Sequence, residues 1–200
     1  MTVSPTPRRR VQPADVRQCL RQATASAHAR VDARFADGIG APGAYPRYLL
    51  GMYGFAADFE AATGRPPRQS AWLAQDLATL ALAPLPAAAP PAMVADPGER
   101  AGWDYVMAGS SLGARRLLRE ARALGHTGAA GACFLDRHAH GDDWPEVQQR
   151  LATFDADDPR QLAALTGGAL DAFARVATWF ARSFAAATPA PALAGHGGVA

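Results

Sequence analysis

The sequence predicts an all-α, single-domain helical bundle, and three observations carry that prediction. Apolar residues recur at spacings of three and four along several long stretches, which is the period of a helix with one buried face. Clusters of Gly and Pro separate the stretches, and aspartates stand where helix N-caps are needed. No segment reads convincingly as a strand, and no internal repeat is found. A chain of 200 residues suits one domain with a substantial core.

Residues 1–13 are polar and proline-bearing, and are expected to be a disordered tail before a domain spanning 14–187. Asp15 is placed to cap a first helix whose stripe is Val16, Leu20, Ala23, Ala27, Val31 and Phe35. Gly38 to Gly43 closes it. A second helix is expected over about residues 44–62, with Tyr45, Leu49, Met52, Tyr53, Ala56 and Phe59 on one side. Gly64-Arg65-Pro66-Pro67 stops that helix, and a short one follows around Trp72 to Leu80. Residues 82–98 carry Pro84, Pro86, Pro90, Pro91 and Pro97, so backbone donors are missing and an extended surface linker is expected.

One long amphipathic helix is expected next, over about residues 99–124, ended by Gly125 and Gly128. Residues 129–141 read as a mixed connection, and Asp142 or Asp143 as the cap of a short helix through Trp144, Val147 and Leu151. Asp158 caps the last long helix, with Pro159 at its first position and a stripe from Leu162 to Phe184. Residues 188–200, rich in Ala, Pro and Gly, are expected to be a second disordered tail.

Composition narrows the function classes. The formal net charge of +2 gives no reason to invoke nucleic acid. No apolar run reaches the roughly 18 residues of a membrane span. Arg8-Arg9-Arg10 is not followed by the apolar stretch of a secretory signal. Cys19 and Cys133 are too few for a disulfide framework and suit a reducing cytoplasm. Every basic residue is an arginine, so any anion held by a basic side chain is held by a planar guanidinium. There is no Gly-x-Ser-x-Gly, P-loop or dinucleotide fingerprint. His138-Ala139-His140 with Cys133 falls in an expected loop and reads as solvated rather than as a zinc site. The glutamates form no Glu-x-x-His pair of the kind a di-iron helix bundle uses.

Two glycines four residues apart, Gly109 and Gly113, sit within the expected long helix, where each costs about 1 kcal/mol relative to alanine. Such a pair uncovers about one turn of backbone. Either another helix packs against it or a flat ligand lies there. Ser110, on the same turn, offers a hydroxyl to a ligand or returns it to a carbonyl one turn earlier. His28 lies at the margin of the first helix's apolar face, where an imidazole can serve as a haem-iron ligand or merely form hydrogen bonds. Thr24 is one turn before it. Arg21 and Arg34 flank His28, and Arg115, Arg116 and Arg119 follow Gly113; all are candidates to pair with ligand carboxylates.

Leu20-Arg21-x-x-Thr24-x-x-x-His28-x-x-Val31-Asp32 resembles the proximal-helix motif of bacterial haem oxygenases. Tyr105-Val106-x-x-Gly109-Ser110-x-Leu112-Gly113 resembles their distal-helix motif. Trp144 and the run Asp171-Ala172-Phe173 also fit, so the resemblance spans roughly residues 16–185, and the bacteriophytochrome-associated group looks nearest. The resemblance implies a bundle with haem between the first helix and the glycine helix. It implies His28 as the iron ligand, Gly109, Ser110 and Gly113 over the catalytic face, and Thr24, Arg21, Arg34, Arg116 and Arg119 as further haem contacts. In that family haem is cofactor and substrate, cleaved to biliverdin, carbon monoxide and ferrous iron with electrons from a ferredoxin or reductase. A catalytically weak haem-binding or haem-sensing protein on the same fold is the alternative. Ala108 and Ala114 depart from the family pattern, which often has an acid and a further glycine at those positions.

Overall fold

A computed structural model describes residues 15–186. The expected tails at 1–13 and 188–200 lie outside the described residues. The chain forms eight α-helices there and no strand: α1 Val16–Asp32, α2 Ala44–Thr63, α3 Gln69–Thr79, α4 Pro97–Gly109, α5 Ser111–Ala123, α6 Cys133–His140, α7 Asp143–Leu151 and α8 Pro159–Ala185. A 3-10 turn, Ala33–Phe35, extends α1.

The helix starts follow local chemistry. The Asp15, Asp96 and Asp158 side chains accept from the first free amides of α1, α4 and α8. Pro97 and Pro159 stand at the first helical position, where a missing amide costs nothing. Two interior helices are capped from a distance. The buried Glu60 carboxylate of α2 accepts from the amides of Arg68 at 2.8 Å and Ser70 at 3.0 Å, at the start of α3. The fully buried Asp76 of α3 accepts from Cys133 N at 2.7 Å and Phe134 N at 2.9 Å, at the start of α6. Both place a carboxylate against the positive end of a helix dipole.

α8 is the spine. It packs against α4, α2 and α1, and α2 is in turn covered by α3. The closest approaches need glycine. A Cβ on Gly102 of α4 would lie 2.5 Å from Ala169 N, and one on Gly168 of α8 would lie 2.6 Å from Glu99 C. Gly51 and Gly54 of α2 give the same room to the rings of Phe180 and Trp179. The core of Leu20, Phe55, Phe59, Trp103, Met107, Leu165 and Phe180 fills the space between these helices.

The linker expectation agrees with the structure over residues 82–95, which carry no helix and run along the bundle, while Pro97 and Gly98, assigned to the linker, open α4. Val94 N donates to Ala62 O at 2.8 Å, and Arg182 and Arg175 donate to the carbonyls of Pro86 and Ala89 at 2.5 and 3.3 Å. Three other expectations are corrected. The long helix over 99–124 is two helices that part at Ser110, because Gly109, Ser110, Ser111 and Gly113 concentrate weak helix formers in one turn. Residues 133–140, expected within a mixed connection, are helical, since Asp76 supplies the cap that the local sequence lacks. Ala23, assigned to the buried stripe of α1, is exposed, and Thr24 takes its place.

Candidate functional site

His28 stands on the open side of α1, with its side chain 62% exposed. Its Nδ1 lies 3.0 Å from Asp32 Oδ2, one turn later. The buried Phe173 ring of α8 meets the imidazole edge-on, with centroids 5.8 Å apart. A carboxylate at Nδ1 holds the proton there and leaves the Nε2 lone pair free to accept or to ligate. An accessible imidazole held by a carboxylate on one side and a ring on the other has the chemistry to act as a ligand.

The α4–α5 turn carries the two glycines. A Cβ on Gly113 would meet nothing within 4 Å, and one on Gly109 would meet only Trp144, at 3.5 Å. Neighbouring Leu112 is 65% exposed. Helix packing, which accounts for Gly102 and Gly168, therefore does not account for Gly109 or Gly113. The turn is tightened by Gly113 N donating to Ser110 O at 3.2 Å, and Trp144 backs it through a 5.8 Å ring contact with Tyr105.

The end of α1 is tied to α5. Glu120 of α5 accepts from Ile39 N, just past α1, at 2.8 Å, and from Arg116 Nε at 2.8 Å. Burial alone would raise the Glu120 carboxyl, but the bonds from Arg116 and the Ile39 and Gly40 amides outweigh it and hold it below the usual range. Arg116 is raised by its hydrogen bond and charge contact with Glu120, with Asp32, the partner of His28, adding to the effect. Otherwise α1 rests on α8 and touches α7, while α5 rests on α6, and α1 and α5 share no substantial interface.

Ser110 is exposed, yet its hydroxyl is held from behind. Its Oγ lies 2.8 Å from Met107 O and 2.7 Å from His138 Nε2. His138 is 3% exposed and stacks on Phe134, with centroids 4.8 Å apart. Burial pushes its pKa down to about 4, so the ring is neutral near pH 7. Sequence reading missed this residue by placing it in a solvated loop. The available signal was Phe134, Leu135, His138 and Ala139, a helical stripe once α6 is capped.

The remaining candidates divide. Thr24 is 2% exposed and its hydroxyl donates to Leu20 O at 2.7 Å, so it is spent within its own helix. Arg21, Arg34 and Arg119 are exposed and form no ion pair with any described residue. Arg116 is exposed and paired with Glu120, and Arg115 donates to Ala139 O at 3.4 Å. No group of His, Cys, Asp or Glu side chains among the described residues is arranged to hold a metal ion on protein ligands alone. No described helix is long and apolar enough to cross a membrane.

No family model and no curated protein matches the chain. Among solved structures, the chain is similar to the NO- and CO-bound heme oxygenase from Neisseria meningitidis, with a TM-score of 0.63 and 23% sequence identity. The match covers 90% of this chain and 98% of that one. The eight described helices thus have the all-helical haem-oxygenase fold.

Proposed function

We propose that the protein is a haem oxygenase that binds haem between α1 and the α4–α5 turn and cleaves it to biliverdin. The observation that carries this reading is the backbone left open at Gly109 and Gly113: among the described residues a Cβ would meet only Trp144, at 3.5 Å, at the first and nothing within 4 Å at the second. The residues present fit the group. A flat ring needs uncovered backbone on one side and a free imidazole lone pair on the other, and the second is offered by His28 with Asp32 at its Nδ1. Its two propionates need basic partners, and Arg21, Arg34, Arg116 and Arg119 are exposed guanidiniums on these two helices.

Bound haem would supply the iron at which dioxygen is reduced and the ring that is cleaved. The chain's own residues would do the rest. His28 would hold the iron, its orientation set by Asp32 and Phe173. The backbone at Gly109 and Gly113 would leave room for only a small ligand above the ring and fix its direction, a positioning effect. The Ser110 hydroxyl would be the polar group on that turn able to donate a proton. Electrons would come from a ferredoxin or reductase. The product suits supply of a bilin chromophore, as to a bacteriophytochrome, or release of iron from haem.

The test is to mix the purified protein with hemin, a reductant system and oxygen. Loss of the Soret band with growth of a biliverdin absorption supports the enzyme. A Soret band that persists through reduction and oxygenation identifies a haem-binding protein without turnover. If hemin gives no histidine-ligated spectrum, or if His28→Ala leaves that spectrum unchanged, the assignment of the site fails.

A further inference from the structure

We propose that His138 is a buried positioning residue for Ser110, its Nε2–H holding the serine oxygen so that the hydroxyl is presented as a hydrogen-bond donor to a small anionic or oxygen ligand on the glycine turn. The inference rests on the haem reading of that turn for the identity of the face, and on the geometry behind it for the rest. Ser110 Oγ has one proton and two neighbours, His138 Nε2 at 2.7 Å and Met107 O at 2.8 Å. The carbonyl accepts only. With the serine hydroxyl donating to Met107 O, the proton of the second hydrogen bond has to come from the ring nitrogen. His138 is therefore the Nε2–H tautomer, donating to Ser110 Oγ. With one lone pair of Oγ taken, the serine proton has two destinations: Met107 O, or a ligand on the exposed side of the turn.

The other ring nitrogen supports a role rather than a packing accident. His138 Nδ1 is buried with no hydrogen-bond partner among the described residues, and the residue is 3% exposed. A leucine or phenylalanine would fill that site without stranding a polar atom. The imidazole is kept in place by Phe134, stacked against it, and by the α6 helix that the Asp76 carboxylate anchors. Ser110 is thus the exposed end of a pair whose other end cannot move. A serine alone would turn its hydroxyl back to the carbonyl, as serines within helices do. The imidazole N–H occupies a lone pair of Oγ, so the hydroxyl stays a donor, to Met107 O in this structure or to a ligand on the exposed side of the turn.

The experiment has an arm without cofactor and an arm with it. In the apoprotein, two-bond ¹H–¹⁵N correlations of His138 are expected to show the Nε2-protonated tautomer near pH 7. An Nδ1-protonated ring overturns the proposal whatever the chain binds. With hemin loaded, fluoride, which accepts hydrogen bonds, is titrated into the ferric protein. Ser110→Ala and His138→Leu are each expected to weaken fluoride about tenfold, the effect of one hydrogen bond. Ser110→Thr is expected to retain the wild-type affinity, and cyanide, a poorer acceptor, to shift little. An intact histidine-ligated spectrum with unchanged fluoride affinity in Ser110→Ala overturns the proposal and leaves the haem reading standing. Absence of that spectrum in the wild type overturns the haem reading, and with it the ligand assigned to this pair. If His138→Leu does not fold, His138→Gln, which keeps an N–H near Ser110, is expected to retain the wild-type fluoride affinity, and a tenfold loss in it overturns the proposal.

Discussion

Gly102 and Gly168 sit at the crossing of α4 and α8, and each lacks a Cβ where the backbone of the other helix passes. Gly109 and Gly113, about two and three turns beyond Gly102 along the same run of chain, lack a Cβ where no backbone passes close: one on Gly109 would touch only Trp144, at 3.5 Å, and one on Gly113 nothing within 4 Å. Substitution should separate the two pairs. Gly102→Ala and Gly168→Ala force backbone apart and should each cost about 1–3 kcal/mol or more. Gly113→Ala should leave the apoprotein unchanged or more stable by up to about 1 kcal/mol, through helix propensity. Thermal unfolding of the apoproteins checks the contrast. Equal destabilisation at all three positions would mean that the α4–α5 turn is packed after all.

The Asp76 carboxylate is the reason α6 begins where it does. Asp76→Ala removes both acceptors from the buried amides of Cys133 and Phe134. A loss of about 2–4 kcal/mol is expected, from two stranded buried donors. Amide exchange should accelerate first in α6 and at Ser110, which leans on it through His138. Uniform exchange across the bundle would instead make Asp76 a general core residue.

His138 gives stability a pH dependence whose sign is fixed. Burial, as the largest cause, pushes its folded pKa from 6.5 down to about 4. Asp143 on α7 and the Met107 carbonyl oppose that shift, while Arg68 before α3 adds to it. The unfolded chain therefore binds the proton more readily, so the neutral ring stabilises the fold fully above about pH 6.5. That contribution is lost as pH falls toward 4 and amounts to roughly 3 kcal/mol. Urea unfolding at pH 7 and pH 4.5 should show the drop, and His138→Leu should flatten it. An equally steep drop in His138→Leu would assign it to other groups.

His28 should matter little to the apoprotein. Its partner Asp32 is 67% exposed, and exposed pairs contribute about 0–1 kcal/mol. His28→Ala is expected to keep the wild-type unfolding midpoint within that margin while abolishing the histidine-ligated hemin spectrum. Asp32→Asn should keep the ligand but weaken its hold, since an amide at Nδ1 no longer draws the proton. A large loss of apoprotein stability in His28→Ala would make the residue structural.

Most helices were legible because their caps and stripes are local. Asp15, Asp96 and Asp158 each begin a helix on its own chain neighbours. α6 was not legible, because its cap comes from Asp76, more than fifty residues earlier, and no local pattern announces that. For the same reason His138 read as solvated when it is buried. The break at Ser110 was hidden in another way: apolar spacing continues across it, and only the density of glycine and serine marks it. Among the candidate residues, His28, Gly109 and Gly113 were visible as a motif. The burial of Thr24 was not, because its neighbour Ala23 fits the apolar stripe as well by spacing.

The break at Ser110 also divides labour along a single stretch of sequence. On one side, α4 answers to the core: its crossing with α8 leaves no room for a side chain at Gly102. On the other, α5 answers to α6 and to whatever lies against its open side. A change in α5, such as a new charge near Arg116 or a different residue for the exposed Leu112, can alter what that side accepts without any retuning of the spine. An engineer seeking a different ligand for this bundle would vary α5 and leave α4 alone.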